Sequence, residues 1–226
     1  GASSGLGLAF ADELASRKYD LVITARRLPQ LEEAAQQLRE RFGVKVTAIH
    51  SDLATPEGAE QLYQQVCQRD LSVDLLVNNA GVGRYGPLLD QSPTELADMV
   101  QLNVTSLTAL THRFALAMRQ QNSGYILNVS SFSAILPPPR YSVYAGTKAY
   151  VLAFSQALQH ELRSTKVRVS ALCPGFFESG FLETAGHQPG RLVRMIMLRR
   201  DHVARAGIAG LLRGKAIITP GLFYKF

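Results

Sequence analysis

Tryptophan is absent from the chain and cysteine occurs twice, at Cys67 and Cys173. Two thiols in 226 residues supply neither a disulfide framework nor a thiolate metal cluster, so a reducing, cytoplasmic setting is expected. No apolar run reaches the ~20 residues that a membrane-spanning helix requires. The five histidines, His50, His112, His160, His187 and His202, are dispersed without metal-ligand spacing, and surface or capping roles are expected of them. No repeat, low-complexity segment or linker interrupts the chain. Its length suits one large domain over residues 1–226 better than two.

Massed charge of one sign is also missing. The net charge of +6 is concentrated late: residues 178–226 hold eight Lys/Arg against three Asp/Glu, and residues 1–177 hold sixteen against fifteen. The late arginines are scattered among Leu, Ile, Met and Ala and are not massed with aromatics. That pattern reads as a solvated helix face and not as a nucleic-acid site.

What the chain does have is apolar runs alternating with longer amphipathic stretches. Strand-like runs lie at 20–25, 44–50, 73–78, 124–131, 167–173 and 215–219, nearly continuous in Val, Ile and Leu, as parallel strands covered on both faces should be. Helical periodicity fills the intervals, including one long stretch over 92–118 and another from 144 onward. Regular alternation of this kind predicts a doubly wound parallel α/β sheet, Rossmann-like, with helices on both faces. The chain opens on "GASSGLG", a glycine turn entering a helix, with no strand before it. Such a turn normally follows the first strand, so the numbering is expected to begin inside a longer protein.

Three groups of residues carry chemistry. Gly1, Gly5 and Gly7 let the backbone turn tightly against a pyrophosphate, and the helix that follows presents free N–H groups to it. After the strand "DLVITA" come Arg26 and Arg27, where an acidic residue would have selected the ribose hydroxyls of NAD. Guanidinium groups suit a 2′-phosphate, which favours NADP(H) over NAD(H). Tyr144 and Lys148 stand four apart, on one face of a predicted helix, so an ammonium is placed to lower the phenol's pKa.

These stretches, together with "DL" at 52–53, "NNAG" at 78–81, Asn103 in "QLNVT", Ser131 in "NVSS", "YAGTK" at 144–148 and "PG" at 174–175, resemble the short-chain dehydrogenase/reductase family of the standard single-domain type. The resemblance spans nearly the whole chain. It implies that Tyr144 is the general acid/base, that Lys148 tunes it and bonds the nicotinamide ribose, that Ser131 holds the substrate oxygen, and that Asn103 binds a water of the proton relay. Ser130 competes for the serine role, but the thirteen-residue gap to the tyrosine matches the family at Ser131. A local helix distortion at Asn103 is compatible with its family role. The cofactor would be held by Gly1, Ser3, Ser4, Gly5, Leu6 and Gly7, by Arg26 and Arg27, by Asp52 and Leu53, by Asn79, Ala80 and Gly81, by Tyr144 and Lys148, and by Pro174 and Gly175. Beyond that glycine the chain has Phe177, Glu178 and Ser179 where many relatives have a threonine for the carboxamide, so the group that holds the carboxamide is open.

The substrate pocket is expected among Phe132, Ile135, Leu136, Phe176, Phe177, Phe181 and Leu182, with residues 178–200 as a lid over it. Apolar walls favour a hydrophobic carbonyl or secondary alcohol, converted by hydride transfer. A sensor or scaffold of the same fold, or a non-redox activity such as epimerisation or dehydration, is the alternative. The resemblance further implies a homodimer or homotetramer built on helices around 94–119 and 144–163.

Overall fold

A computed structural model describes residues 1–178, 180–188, 190 and 197–221. Six parallel strands run through it: β1 (Leu21–Ala25), β2 (Val46–His50), β3 (Leu75–Asn78), β4 (Gly124–Val129), β5 (Val167–Leu172) and β6 (Ile217–Ile218). The helices are α1 (Gly5–Ser16), α2 (Leu28–Phe42), α3 (Gly58–Cys67), α4 (Pro93–Val100), α5 (Leu107–Gln121), α6 (Ser142–Glu161), the short α7 (Phe181–Thr184) and α8 (Arg200–Leu212). Glycine fits the end of α2 because Gly43 is left-handed there, at φ 65°.

The doubly wound α/β arrangement expected from the sequence is present. Its strands are hydrogen-bonded in two groups, β1 with β2, and β3-β4-β5-β6. The division falls between β1 and β3, at an apolar cavity of about 220 Å³ whose walls include Val22, Ile23, Leu75, Val77, Leu102 and Phe114. Gly1 and Ala2 lie at its edge, and Ala2 N donates to Thr24 O at 3.0 Å.

Because side chains alternate along a strand, β4 feeds two cores. Leu127 and Val129 pack with Phe10, Leu14, Val203 and Ile208 from α1 and α8, whereas Ile126 packs with Val66, Phe114 and Val169 on the side of α3 and α5. Between the layers runs a buried polar chain that ties strands to helices. Asn78 Nδ2 donates to Thr111 Oγ1 and to Asn128 Oδ1, each at 2.9 Å, and Asn128 Nδ2 donates to Ser155 Oγ at 3.0 Å. Buried polar groups satisfied in this way fix the register of β3 against β4 and of both against α5 and α6.

The stretch over 92–118 is not one α-helix. A π-helical turn at Gln101–Ser106 separates α4 from α5 and contains Asn103. The distortion has a visible cause. The Asn103 amide behaves as a peptide group toward Val82, accepting from Val82 N at 3.0 Å and donating to Val82 O at 2.8 Å.

Candidate active site

The parallel strands put their carboxyl ends on one edge, and the loops that leave that edge carry the chemistry. After β4 the chain stays extended through Ser131, whose Oγ accepts from Ser133 N at 3.1 Å and so caps the short 3-10 turn Phe132–Ala134. Ser130 is turned away, its Oγ donating to Lys148 O at 2.7 Å inside the core. Of the two serines, Ser131 is therefore the one that faces the phenol.

Tyr144 and Lys148 lie in the first turns of α6, both buried, at 8% and 4% exposure. Burial pushes the Tyr144 phenol up to about 12, against a smaller downward pull from the Ser131 hydroxyl. The expectation that Lys148 would lower this phenol's pKa is corrected here. Its Nζ donates to Val129 O at 2.8 Å and sits 5.8 Å from the centre of the Tyr144 ring, so desolvation outweighs its charge. The lysine is itself pushed down to about 8 by burial, with Cys173 opposing, and the Cys173 thiol is pushed up to about 11 by burial in turn. Asn103 joins this group through Thr147, donating Nδ2 to its Oγ1 at 3.1 Å. Gly81 is closely packed: a Cβ there would lie 3.1 Å from Asn103 Oδ1 and 3.3 Å from Lys148 Nζ.

The residues expected to hold a cofactor converge on the same edge. At Gly7 a Cβ would meet Gly1 O at 2.1 Å and Asn79 Nδ2 at 2.8 Å, and at Gly1 it would meet Ala80 Cα at 3.3 Å, so only glycine keeps the turn this tight against "NNAG". Gly5, at φ +57°, has no atom within 4 Å of a Cβ position, and Ser3 and Ser4 precede it in the turn. Ser4 caps α1 without a side-chain hydrogen bond, which leaves the helix's first N–H groups for a ligand. Arg26 and Arg27 follow β1, exposed and, among the described residues, in no ion pair. Pro174 and Gly175 follow β5, and Pro174 O accepts from Phe132 N at 2.8 Å. A glycine cradle and an open helix end fit the pyrophosphate of a dinucleotide. Asp52 Oδ1 is held by Ala54 N at 3.0 Å, while the side chains of Leu6 and Leu53 are core.

The expected pocket wall is only partly assembled. Phe181 packs on Tyr144 with ring centres 5.3 Å apart, and both press on Gly83, where a Cβ would be 2.6 Å from Phe181 Cζ. Phe176 reaches His187 at 6.5 Å, Phe132 opens the 3-10 turn, and Leu182 is buried. Ile135 and Leu136 are corrections, since they project from that turn at 42% and 63% exposure and stand at most on a rim. Phe177 is another. It bridges to Leu198 and packs against the α1 and α8 core. Residues 179, 189 and 191–196 of the expected lid, Ser179 among them, lie outside the described residues.

Three ring residues beside Tyr144 escape the sequence reading. Tyr141 is 5.6 Å from Tyr144, Tyr85 is 5.2 Å from Tyr141, and His187 stacks on Tyr85 at 4.3 Å. Tyr141 carries a signal, standing three residues before Tyr144 in "YSVY". His187 carries none in sequence, because its neighbours come from distant segments.

Fold and site together define a Rossmann-like α/β domain with Ser131, Tyr144 and Lys148 at the carboxyl edge of its sheet. The sequence pattern of the family described as short chain dehydrogenase matches residues 1–190, and the chain belongs to that family. It is 34% identical over 178 residues to 17-beta-hydroxysteroid dehydrogenase type 3 of Homo sapiens, covering 77% of this chain and 56% of that protein. It is 31% identical over 182 residues to the very-long-chain 3-oxoacyl-CoA reductase of Homo sapiens, covering 78% and 57%. The chain thus spans little more than half the length of these relatives. Among solved structures, a short-chain dehydrogenase from Sphingobium yanoikuyae in complex with NADPH superposes with a TM-score of 0.91 at 31% identity, over 98% of this chain and 86% of that one. A short-chain dehydrogenase/reductase from Burkholderia phymatum in complex with NAD gives 0.86 at 28%, over 97% and 86%. A nicotinamide cofactor is common to both.

Proposed function

We propose that the chain is an NADP(H)-dependent oxidoreductase acting on the carbonyl group, or the matching secondary alcohol, of a bulky apolar substrate. The observation that carries this reading is the convergence of Ser131, Tyr144 and Lys148 at the carboxyl edge of the sheet, beneath the ring of Phe181. The bound nicotinamide supplies or accepts the hydride. Ser131 holds the substrate oxygen. Tyr144, still a phenol at neutral pH because burial keeps its pKa near about 12, donates the proton as that oxygen gains charge. Lys148, fixed by Val129 O and protonated below about pH 8, offsets the negative charge left on the phenol. Asn103 positions this group by bonding both Val82 and Thr147.

NADP(H) is favoured over NAD(H) by Arg26 and Arg27, whose guanidinium groups match a 2′-phosphate in charge and geometry. The aromatic surroundings of Tyr144 support a large apolar substrate, in keeping with relatives named for a hydroxysteroid and a very-long-chain 3-oxoacyl-CoA. Exposed Leu116 and Tyr150, on α5 and α6, support assembly of copies through those helices.

The test is oxidation of NADPH and of NADH by the purified chain against a panel of bulky ketones, with Arg26→Ala/Arg27→Ala alongside. Turnover with NADPH is expected, and the double variant should weaken NADPH about 10-fold to 100-fold while leaving NADH near its starting affinity. Equal weakening of both cofactors would contradict the phosphate assignment. Absence of turnover across the panel, with cofactor bound, would favour the sensor reading.

A further inference from the structure

Tyr85, Tyr141 and His187 come from three separate segments and meet beside the acid/base tyrosine. Backbone bonds hold the segments together: Tyr85 N donates to Ala185 O at 2.9 Å, and Gly86 N donates to Arg140 O at 2.9 Å. Within this box the imidazole of His187 lies nearly parallel to Tyr85, at 10°, and edge-on to Phe176. Its Nδ1 is 2.9 Å from Tyr141 Oη.

That contact engages one of the two ring nitrogens. Burial raises the Tyr141 phenol, so it keeps its hydrogen, and burial lowers His187, so the ring is neutral near pH 7. A neutral imidazole has one donor and one acceptor. In the tautomer in which Nδ1 accepts from the phenol, the proton is on Nε2. Among the described residues Nε2 has no hydrogen-bond partner, although the ring is partly buried and packed on three aromatic neighbours. Nε2 is not among the buried unpartnered atoms, so it is open to solvent and free to donate to a ligand oxygen.

The geometry points to His187 Nε2–H as a second polar anchor of the substrate pocket, taking an oxygen acceptor remote from the reacting carbonyl, with Tyr141 and Tyr85 positioning the ring. The inference rests on the proposed reduction of apolar ketones and narrows the substrate class to those carrying a distant carbonyl, hydroxyl or carboxylate oxygen. An acceptor of this kind matters because an anchor two ring contacts from Tyr144 sets which end of a long apolar molecule enters first.

The experiment compares 2-alkanones with alkanediones of the same chain length, from eight to fourteen carbons, in the wild type, His187→Phe and His187→Gln. His187→Phe keeps a ring on Tyr85 and removes the donor. His187→Gln restores one. The expected result is a wild-type preference for the diones at one range of lengths, lost about fivefold to tenfold in kcat/KM in His187→Phe and recovered at least in part in His187→Gln. The same dione-to-monoketone ratio in His187→Phe as in the wild type would overturn the anchor while leaving the ketone-reductase reading intact. Failure of the wild type on both series, with NADPH bound, would overturn both. If His187→Phe does not fold, the wild type and His187→Gln decide: a wild type indifferent to the remote oxygen at every length would overturn the anchor, and a length-dependent preference shared by His187→Gln would support it.

Discussion

At Tyr144 and Lys148 the spacing of four was legible and its consequence was not. Sequence shows that the two share a helix face, but not that Nζ turns to Val129 O or that both groups are buried deeply enough for desolvation to dominate. The burial of Lys148 has a measurable sign. Its pKa is about 8 folded and 10.5 in the open chain, so between these values the unfolded state holds more protons and stability rises with pH. Between pH 8 and 9 the wild type should gain stability relative to Lys148→Met, by no more than about 1.4 kcal/mol per pH unit. Above pH 9 the raised Cys173 pKa acts in the opposite direction, which confines the test to that window. Denaturant unfolding at the two pH values measures the difference, and parallel changes in both proteins would contradict the buried ammonium. The arginines after β1 were legible as well, because charge at the end of a buried strand has few places to go but solvent or ligand.

Among the elements, β4 and β5 were readable as strands because burial on both faces demands continuous apolar sequence, and Leu127 is fully buried in such a run. Leu127→Ala should cost about 2–5 kcal/mol in urea unfolding, a cost well above that of a surface truncation. β6 shrinks from the expected 215–219 to Ile217–Ile218, since a strand at the sheet's edge has pairing on one side only. The π-helical turn was legible only as a poor helix former at Asn103, its cause being a contact with Val82 that is distant in sequence. Gly83 was silent for the same reason. Gly83→Ala should force Phe181 off Tyr144 and lower kcat/KM about tenfold or more, with overpacking of about 1–3 kcal/mol in stability. Unchanged kinetics in a folded Gly83→Ala protein would remove Phe181 from the substrate wall.

Across the whole molecule, sequence alternation was enough to place helices on both faces of a parallel sheet and to put the chemistry at the strands' carboxyl ends. The ring cluster of Tyr85, Tyr141 and His187 depends on how distant segments meet and leaves no periodic trace. The site is thus a product of topology: Ser131 leaves β4, Tyr144 and Lys148 open α6, and Gly81 follows β3, brought together by strands in register. The most direct test of this account is ketone reduction by Tyr144→Phe, measured beside NADPH binding to the same protein. The account predicts that kcat falls about 100-fold to 10,000-fold while NADPH affinity stays within a few-fold of the wild type. Near-normal turnover by Tyr144→Phe would contradict it.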